Sequence, residues 1–227
     1  MELIPAKTII TKNRDTSWFG SDYNMNLYRG CSHGCIYCDS RSSCYRVDDF
    51  EQIKAKENAL QIVRDDLRRK VKKGVVGAGA MSDPYNPHEI HMELTRHSLE
   101  LIAAFGFGVS MLTKSTGILR DIPIYQIIAE QAPVNCMLTI TICEDSLSKK
   151  LEPGAPPSSE RFAAVRNLSA AGLFAGVVMT PVLPFLEDTK ENVMGMVELA
   201  REAGARFIYP MFGVTLRNRQ REYFYSR

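Results

Sequence analysis

An α/β fold with a parallel sheet is what this 227-residue chain predicts, on three observations. Short β-prone runs alternate with stretches whose apolar residues recur at three- and four-residue spacing. Six strand–helix units can be counted this way, the last helix only begun at the C-terminus. Gly74, Gly172 and Gly204 each follow a periodic stretch, where a helix end favours glycine.

Composition narrows the class. With 45% hydrophobic and 24% charged residues, the chain can bury one good core. No apolar run approaches the roughly 20 residues that span a bilayer. Six cysteines without a signal peptide argue against a disulfide framework, so a cytoplasmic protein is expected. A net charge of +2 makes no strong electrostatic case for nucleic acid.

Taken in order, residues 1–22 are polar and irregular, with a lone Trp18, and are expected to be a lead-in to a barrel unit of residues 23–227. Residues 24–28 form the first strand. A helix is expected from Phe50, with Ile53, Leu60, Val63, Leu67 and Val71 on one face and Gly74 as its stop. Its last turns carry Arg68, Arg69, Lys70, Lys72 and Lys73, where cations suit the helix dipole, and a solvated end explains them better than a phosphate site. Residues 75–81 are a small-residue strand, and Pro84 and Pro87 fix the loop after it. Helix 94–105, strand 109–113, helix 122–129 and strand 134–142 follow. Ser158 or Ser159 caps the next helix, and Asp188 with Glu191 reads as the capping box of another. Strands 174–180 and 206–211 complete the six. In parallel barrels the chemistry gathers at strand C-termini, where the Asp83 and Lys114 loops and Thr139 fall.

The stretch Tyr28-Arg29-Gly30-Cys31-Ser32-His33-Gly34-Cys35-Ile36-Tyr37-Cys38 holds three thiols within eight residues. Thiolates are soft ligands that favour iron–sulfur, zinc or copper(I) centres. A four-iron cluster normally takes four cysteines, so three local thiolates leave one iron open. Cys44 or His33 as a fourth ligand would instead give a closed zinc site, although no second Cys/His pair follows downstream.

This loop resembles the Cys-x3-Cys-x-aromatic-Cys signature of the radical S-adenosylmethionine (SAM) enzymes. Within them the chain looks most like the spore photoproduct lyase family, through Ser82-Asp83-Pro84-Tyr85, Thr113-Lys114-Ser115, the residue 151–156 stretch Leu-Glu-Pro-Gly-Ala-Pro, and Pro181-Val182-Leu183-Pro184. The resemblance implies a partial (βα)6 TIM-like barrel. It implies a [4Fe–4S] cluster on Cys31, Cys35 and Cys38 whose open iron is chelated by SAM. One electron then splits SAM to methionine and a 5′-deoxyadenosyl radical that abstracts hydrogen. A flavodoxin or ferredoxin would supply the electron.

The same resemblance assigns cofactor contacts. Tyr37 would lie against adenine, Lys114 would pair with the SAM carboxylate, and Thr139 would hydrogen-bond it. Gly77, Gly79, Ala80 and Ser82 would let SAM pass close to the second strand, although tight packing also explains the glycines. Asp83 and Tyr85 are candidates for substrate or SAM contact, against the plainer reading that Asp83-Pro84 starts a turn. Two departures matter. The lyase's hydrogen-donor cysteine aligns with Ala80, and the tyrosine after its third cluster cysteine aligns with Asp39. The chain is therefore expected to cleave SAM without repairing spore photoproduct.

Other groups read more plainly. His88, His91 and His97 lack a facing carboxylate motif and are expected to be structural or exposed. Cys136 and Cys143 read as small hydrophobes. Arg217, Arg219, Arg221 and Arg227, interleaved with Tyr223, Phe224 and Tyr225, suit a nucleic-acid substrate less well than a terminal helix 216–225 that closes the barrel flank and continues beyond the sequence given. The reading from another class is a non-catalytic zinc- or cluster-binding module that acts through partners.

Overall fold

Ten strands and eight helices are found in the computed structural model, which describes residues 1–17 and 19–227; Trp18 of the lead-in lies outside the described residues. In chain order they are β1 (Glu2–Ile4), β2 (Ile10–Lys12), β3 (Tyr23–Met25), β4 (Tyr28–Arg29), β5 (Lys54–Lys56), α1 (Ala59–Arg69), β6 (Val75–Ala78), α2 (Glu89–Met92), α3 (Leu94–Ala104), β7 (Gly108–Thr113) and α4 (Ile122–Ala129). Then come β8 (Val134–Thr139), α5 (Asp145–Leu151), α6 (Ser158–Ala170), β9 (Ala175–Val182), α7 (Lys190–Glu202), β10 (Ile208–Phe212) and α8 (Gln220–Tyr225).

The main sheet has the order β10-β9-β8-β7-β6-β3-β2. Its six strands from β3 to β10 run parallel in sequence order, and β2 joins β3 antiparallel at one edge. Among the described residues β10 and β2 remain edges, so the barrel is partial. Strands covered on both faces read as near-continuous apolar runs, and β7 is buried along its whole length. Val109, Met111, Cys136, Leu138 and Val177 face the helices in the main core. Leu112, Met137 and Val178 point inward, with Phe19 and Phe207 packed on them.

Three local expectations are corrected. Helix α1 starts at Ala59 rather than near Phe50, because residues 54–56 are claimed by a second sheet of order β1-β5-β4. Ile53 is buried beside that strand, and Val71 is fully exposed beyond the helix end. The lead-in is not wholly irregular, since it supplies β1 and β2. The buried Asp66 carboxylate holds it to α1 by accepting from the Ile9 and Ile10 amides at 2.7 and 2.9 Å. Helix α7 is capped by Thr189, one residue later than the expected Asp188. Helix α6 follows Pro157, with Ser159 held by Asp145 instead of capping. Helix α5 had no counterpart in the sequence reading.

Candidate cluster and cofactor site

The loop after β4 and the C-terminal ends of β6, β7 and β8 surround one cavity with about 480 Å3 of empty space, open to solvent. Cys31, Cys35 and Cys38 line it on the loop side. Gly79, Ala80, Ser82 and Asp83 line it from the end of β6, with Lys114 and Thr139 opposite. Three sequence-predicted residues do not. Gly77 sits lower on the inner wall, where a side chain would meet Ser21 Oγ at 2.7 Å, so packing accounts for it. The Tyr37 ring is buried behind the wall, clustered with Ile142, Leu151 and Leu183. The Tyr85 hydroxyl turns away into the core, 2.9 Å from both Asp121 Oδ2 and Tyr125 Oη, which makes it an anchor of the scaffold.

Backbone chemistry shapes the loop. Gly30 has φ +83°, and a Cβ there would stand 2.6 Å from the Gln52 carbonyl, so only glycine fits. Cys31 N donates to Phe50 O at 2.8 Å and Ile36 N to Leu151 O at 3.0 Å. Ser82 Oγ donates to the Gly30 carbonyl at 2.8 Å, which joins loop and β6. At Gly79, φ is +101° and a Cβ would overlap the Leu112 carbonyl at 1.8 Å.

Asp83 organises the cavity rather than facing it with a free carboxylate. Its Oδ1 accepts from Thr113 Oγ1 at 2.6 Å and Tyr85 N at 2.8 Å. Its Oδ2 meets His33 Nε2 at 2.8 Å and accepts from Lys114 N at 2.9 Å. His33 Nδ1 stands 3.1 Å from the Gly154 carbonyl. Both ring nitrogens thus face acceptors, which requires the doubly protonated imidazolium. Burial is the largest influence and opposes each charge, yet the partner's charge and the hydrogen bonds together outweigh it: Asp83 falls to about 2 and His33 rises above its ordinary value.

Behind the cavity, Lys114 meets two buried charges to which the sequence reading assigned no role, Glu152 and Arg161. Lys114 Nζ is 3.6 Å from Glu152 Oε1, and Arg161 Nη2 is 2.5 Å from Glu152 Oε2. The Tyr37 hydroxyl donates to Glu152, and Arg161 Nη1 donates to the Thr139 carbonyl at 2.7 Å. Burial works against the Lys114 ammonium, but Cys35 and Glu152 outweigh it and raise its pKa. The readable signal was Arg161 itself, a charge in step with Val165 and Leu168 on the apolar stripe of α6. Glu187, another group missed, accepts from Thr141 Oγ1 at 2.6 Å and Leu183 N at 2.8 Å, and burial pushes it up to about 7.

The donor set can be tested against a cluster. Among the described residues no three His, Cys, Asp or Glu side chains already stand together at metal-holding separation. The three thiols nevertheless line one cavity, with no disulfide between them, and burial raises Cys31 to about 11 and Cys35 further. Metal binding deprotonates such thiols, and the Lys114 ammonium favours the Cys35 thiolate. The fourth-ligand candidates are engaged elsewhere. His33 is committed through both nitrogens, and Cys44 is exposed off the cavity with Arg217 Nη1 3.6 Å from its sulfur. Three thiolates and an open position fit a [4Fe–4S] cluster better than a closed zinc shell.

The remaining groups fall into place around the loop. Asp39 accepts from Thr215 Oγ1 at 2.6 Å and Tyr45 Oη at 2.8 Å and pairs with Arg217, so it fastens the C-terminal segment to the loop. Gln220 donates to the Tyr37 carbonyl at 2.9 Å, which supports the flank-closing helix, now Gln220–Tyr225. Arg219 pairs with Asp48 and Arg221 with Glu222. His97 pairs with Glu93 and Glu100 on α3, apart from the cavity. Cys136 is core, and the Cys143 sulfur packs near Gly195.

A partial parallel barrel with a three-cysteine loop at its strand C-termini defines a class, and the comparisons give the family. Residues 25–200 match the Radical SAM superfamily, and the chain belongs to it. It is 34% identical over 226 residues to the uncharacterized protein Rv2578c of Mycobacterium tuberculosis, covering 96% of this chain and 66% of that one. It is 31% identical over 179 residues to the uncharacterized protein MJ0683 of Methanocaldococcus jannaschii, covering 78% and 66%. The chain thus spans just under two thirds of these relatives. A spore photoproduct lyase mutant with bound AdoMet and dinucleoside spore photoproduct shares the fold at TM-score 0.71 and 16% identity, over 99% of this chain and 65% of that one. The cobalamin-dependent S-adenosylmethionine radical enzyme OxsB is a more distant fold match, at TM-score 0.53 and 10% identity over 88% and 29%. Among the described residues no helix is long and apolar enough to cross a membrane.

Proposed function

We propose that the chain is a radical SAM enzyme that holds a [4Fe–4S] cluster on Cys31, Cys35 and Cys38 and binds SAM in the adjoining cavity. When bound, the cluster supplies the single electron that splits SAM to methionine and a 5′-deoxyadenosyl radical, the species that takes hydrogen from substrate. The observation that supports this reading is the engagement of His33 and Cys44 with other partners, which leaves three thiols at the cavity without an uncommitted fourth Cys or His among the described residues. Lys114 and Thr139 hold the SAM carboxylate, Gly79 and Ser82 let SAM pass close to the strand end, and Ala80 leaves room beside them. Asp83 with His33 fixes the loop, and Tyr37 supports it from behind. The electron comes from a cytoplasmic flavodoxin or ferredoxin. The spore photoproduct lyase likeness favours a nucleic-acid-related substrate, yet Ala80 supplies no thiol and Asp39 is committed to Thr215 and Tyr45, so repair of spore photoproduct itself is not proposed.

The test is formation of 5′-deoxyadenosine from SAM by anaerobic, cluster-reconstituted protein under dithionite. We expect turnover in the wild type and none in Cys35→Ala. A zinc-loaded, colourless protein that forms no 5′-deoxyadenosine would support the non-catalytic module instead. Repair of spore photoproduct would contradict the narrower exclusion.

A further inference from the structure

Lys114 at the wall and Thr139 beside it come from different elements, as does Tyr37 behind them, yet all three are tied to one buried pair. Tyr37 donates its hydroxyl to Glu152, Lys114 Nζ lies 3.6 Å from the same carboxylate, and Arg161 holds the Thr139 carbonyl at 2.7 Å. Glu152 and Arg161 are 1% and 0% exposed, so solvent does not screen them.

The charges do not balance. Two cations, Lys114 and Arg161, share the one Glu152 carboxylate. At 3.6 Å the contact of Lys114 with Glu152 is longer than a hydrogen bond, so the ammonium keeps its N–H donors available. Arg161 Nε also has no hydrogen-bond partner among the described residues. A surplus positive charge with unspent donors at a cavity wall stabilises an arriving anion, because burying an unmatched charge is costly.

We propose that Glu152 and Arg161 are positioning residues that keep the Lys114 ammonium uncommitted at the cavity wall, where it receives the carboxylate of SAM. The inference rests on the SAM reading above. Arg161 draws Glu152 away from Lys114. Without Arg161, carboxylate and ammonium form a balanced pair of their own and the ammonium is lost to the ligand.

Dissociation constants for SAM and for decarboxylated SAM, measured by anaerobic equilibrium dialysis on the cluster-loaded full chain, test this. In the wild type SAM binds about tenfold or more tighter than the decarboxylated analogue, the scale of a hydrogen-bonded charge. In R161Q, with iron content and circular dichroism unchanged, that preference falls to about twofold while affinity for the decarboxylated analogue holds. E152Q, which leaves two unmatched cations, is the harsher variant; if it folds, it loses the preference too, and R161Q decides if it does not. Wild-type preference in a folded, iron-loaded variant overturns the proposal. Equal weakening of both ligands, or a folded variant without iron, overturns it as well, since either marks a merely structural pair. A wild type that carries its cluster but binds neither ligand brings down the SAM reading, and this inference with it.

Discussion

Two buried charge networks flank the barrel mouth, and they are built to opposite rules. Under α2 and α4, Glu89 and Asp121 face Arg96 and Arg120, two charges against two. Glu89 also accepts from Tyr28 Oη and the Thr95 and Arg96 amides, and Asp121 from Tyr85 Oη. Their carboxylate oxygens are all partnered. Across the cavity, Lys114, Glu152 and Arg161 set two cations against one anion and leave Arg161 Nε without a hydrogen bond among the described residues. A saturated, balanced network is scaffold. The unbalanced one lies beside the thiols, where the proposed SAM carboxylate would complete it.

The sharpest way to break that comparison is to remove a charge from each side. Asp121→Ala removes the fully buried carboxylate that Arg96, Arg120 and Tyr85 share, and is expected to cost about 3 kcal/mol in urea unfolding. Lys114→Met removes the surplus cation, so the apo protein should be unchanged or gain about 1 kcal/mol while SAM affinity collapses. A large stability loss in Lys114→Met would erase the distinction between the networks.

A smaller effect comes through pH. Glu187 is raised from 4.5 to about 7 by burial, so the folded chain binds this proton more tightly than the unfolded one. The stability it contributes is full below 4.5 and is lost as pH rises through about 7. Thermal scans should lose about 2 kcal/mol across that window, and Glu187→Gln, which can still bond Thr141 and the Leu183 amide, should flatten the profile. An identical slope in the variant would refute the assignment. The smallest change is expected at the exposed Asp48–Arg219 pair, where Asp48→Ala should shift stability by less than about 0.5 kcal/mol in the same urea assay.

Much of this was legible in the chain. The six parallel strands announced themselves through apolar runs bounded by glycine, and the loop's three thiols through spacing alone. The misplaced start of α1 had a definite cause. Ile53 keeps helical phase with Leu60, but its neighbours pair with β4 and β1, a tertiary claim that periodicity does not register. Tyr85 was read as site-facing because its motif sits at a strand end. The turn begun by Asp83 sends its side chain inward to Asp121. Lys114 was read from resemblance, whereas Glu152 and Arg161 needed coordinates, since their meaning lies in distances across 47 residues of chain from Lys114 to Arg161.

The proposed cluster holds one iron that no side chain reaches. Mössbauer spectra of anaerobically prepared protein with and without SAM test it directly. The account predicts about four irons per chain, one of which changes its signal when SAM is added. A centre whose irons all ignore SAM, or a single zinc saturated by protein ligands, would contradict it.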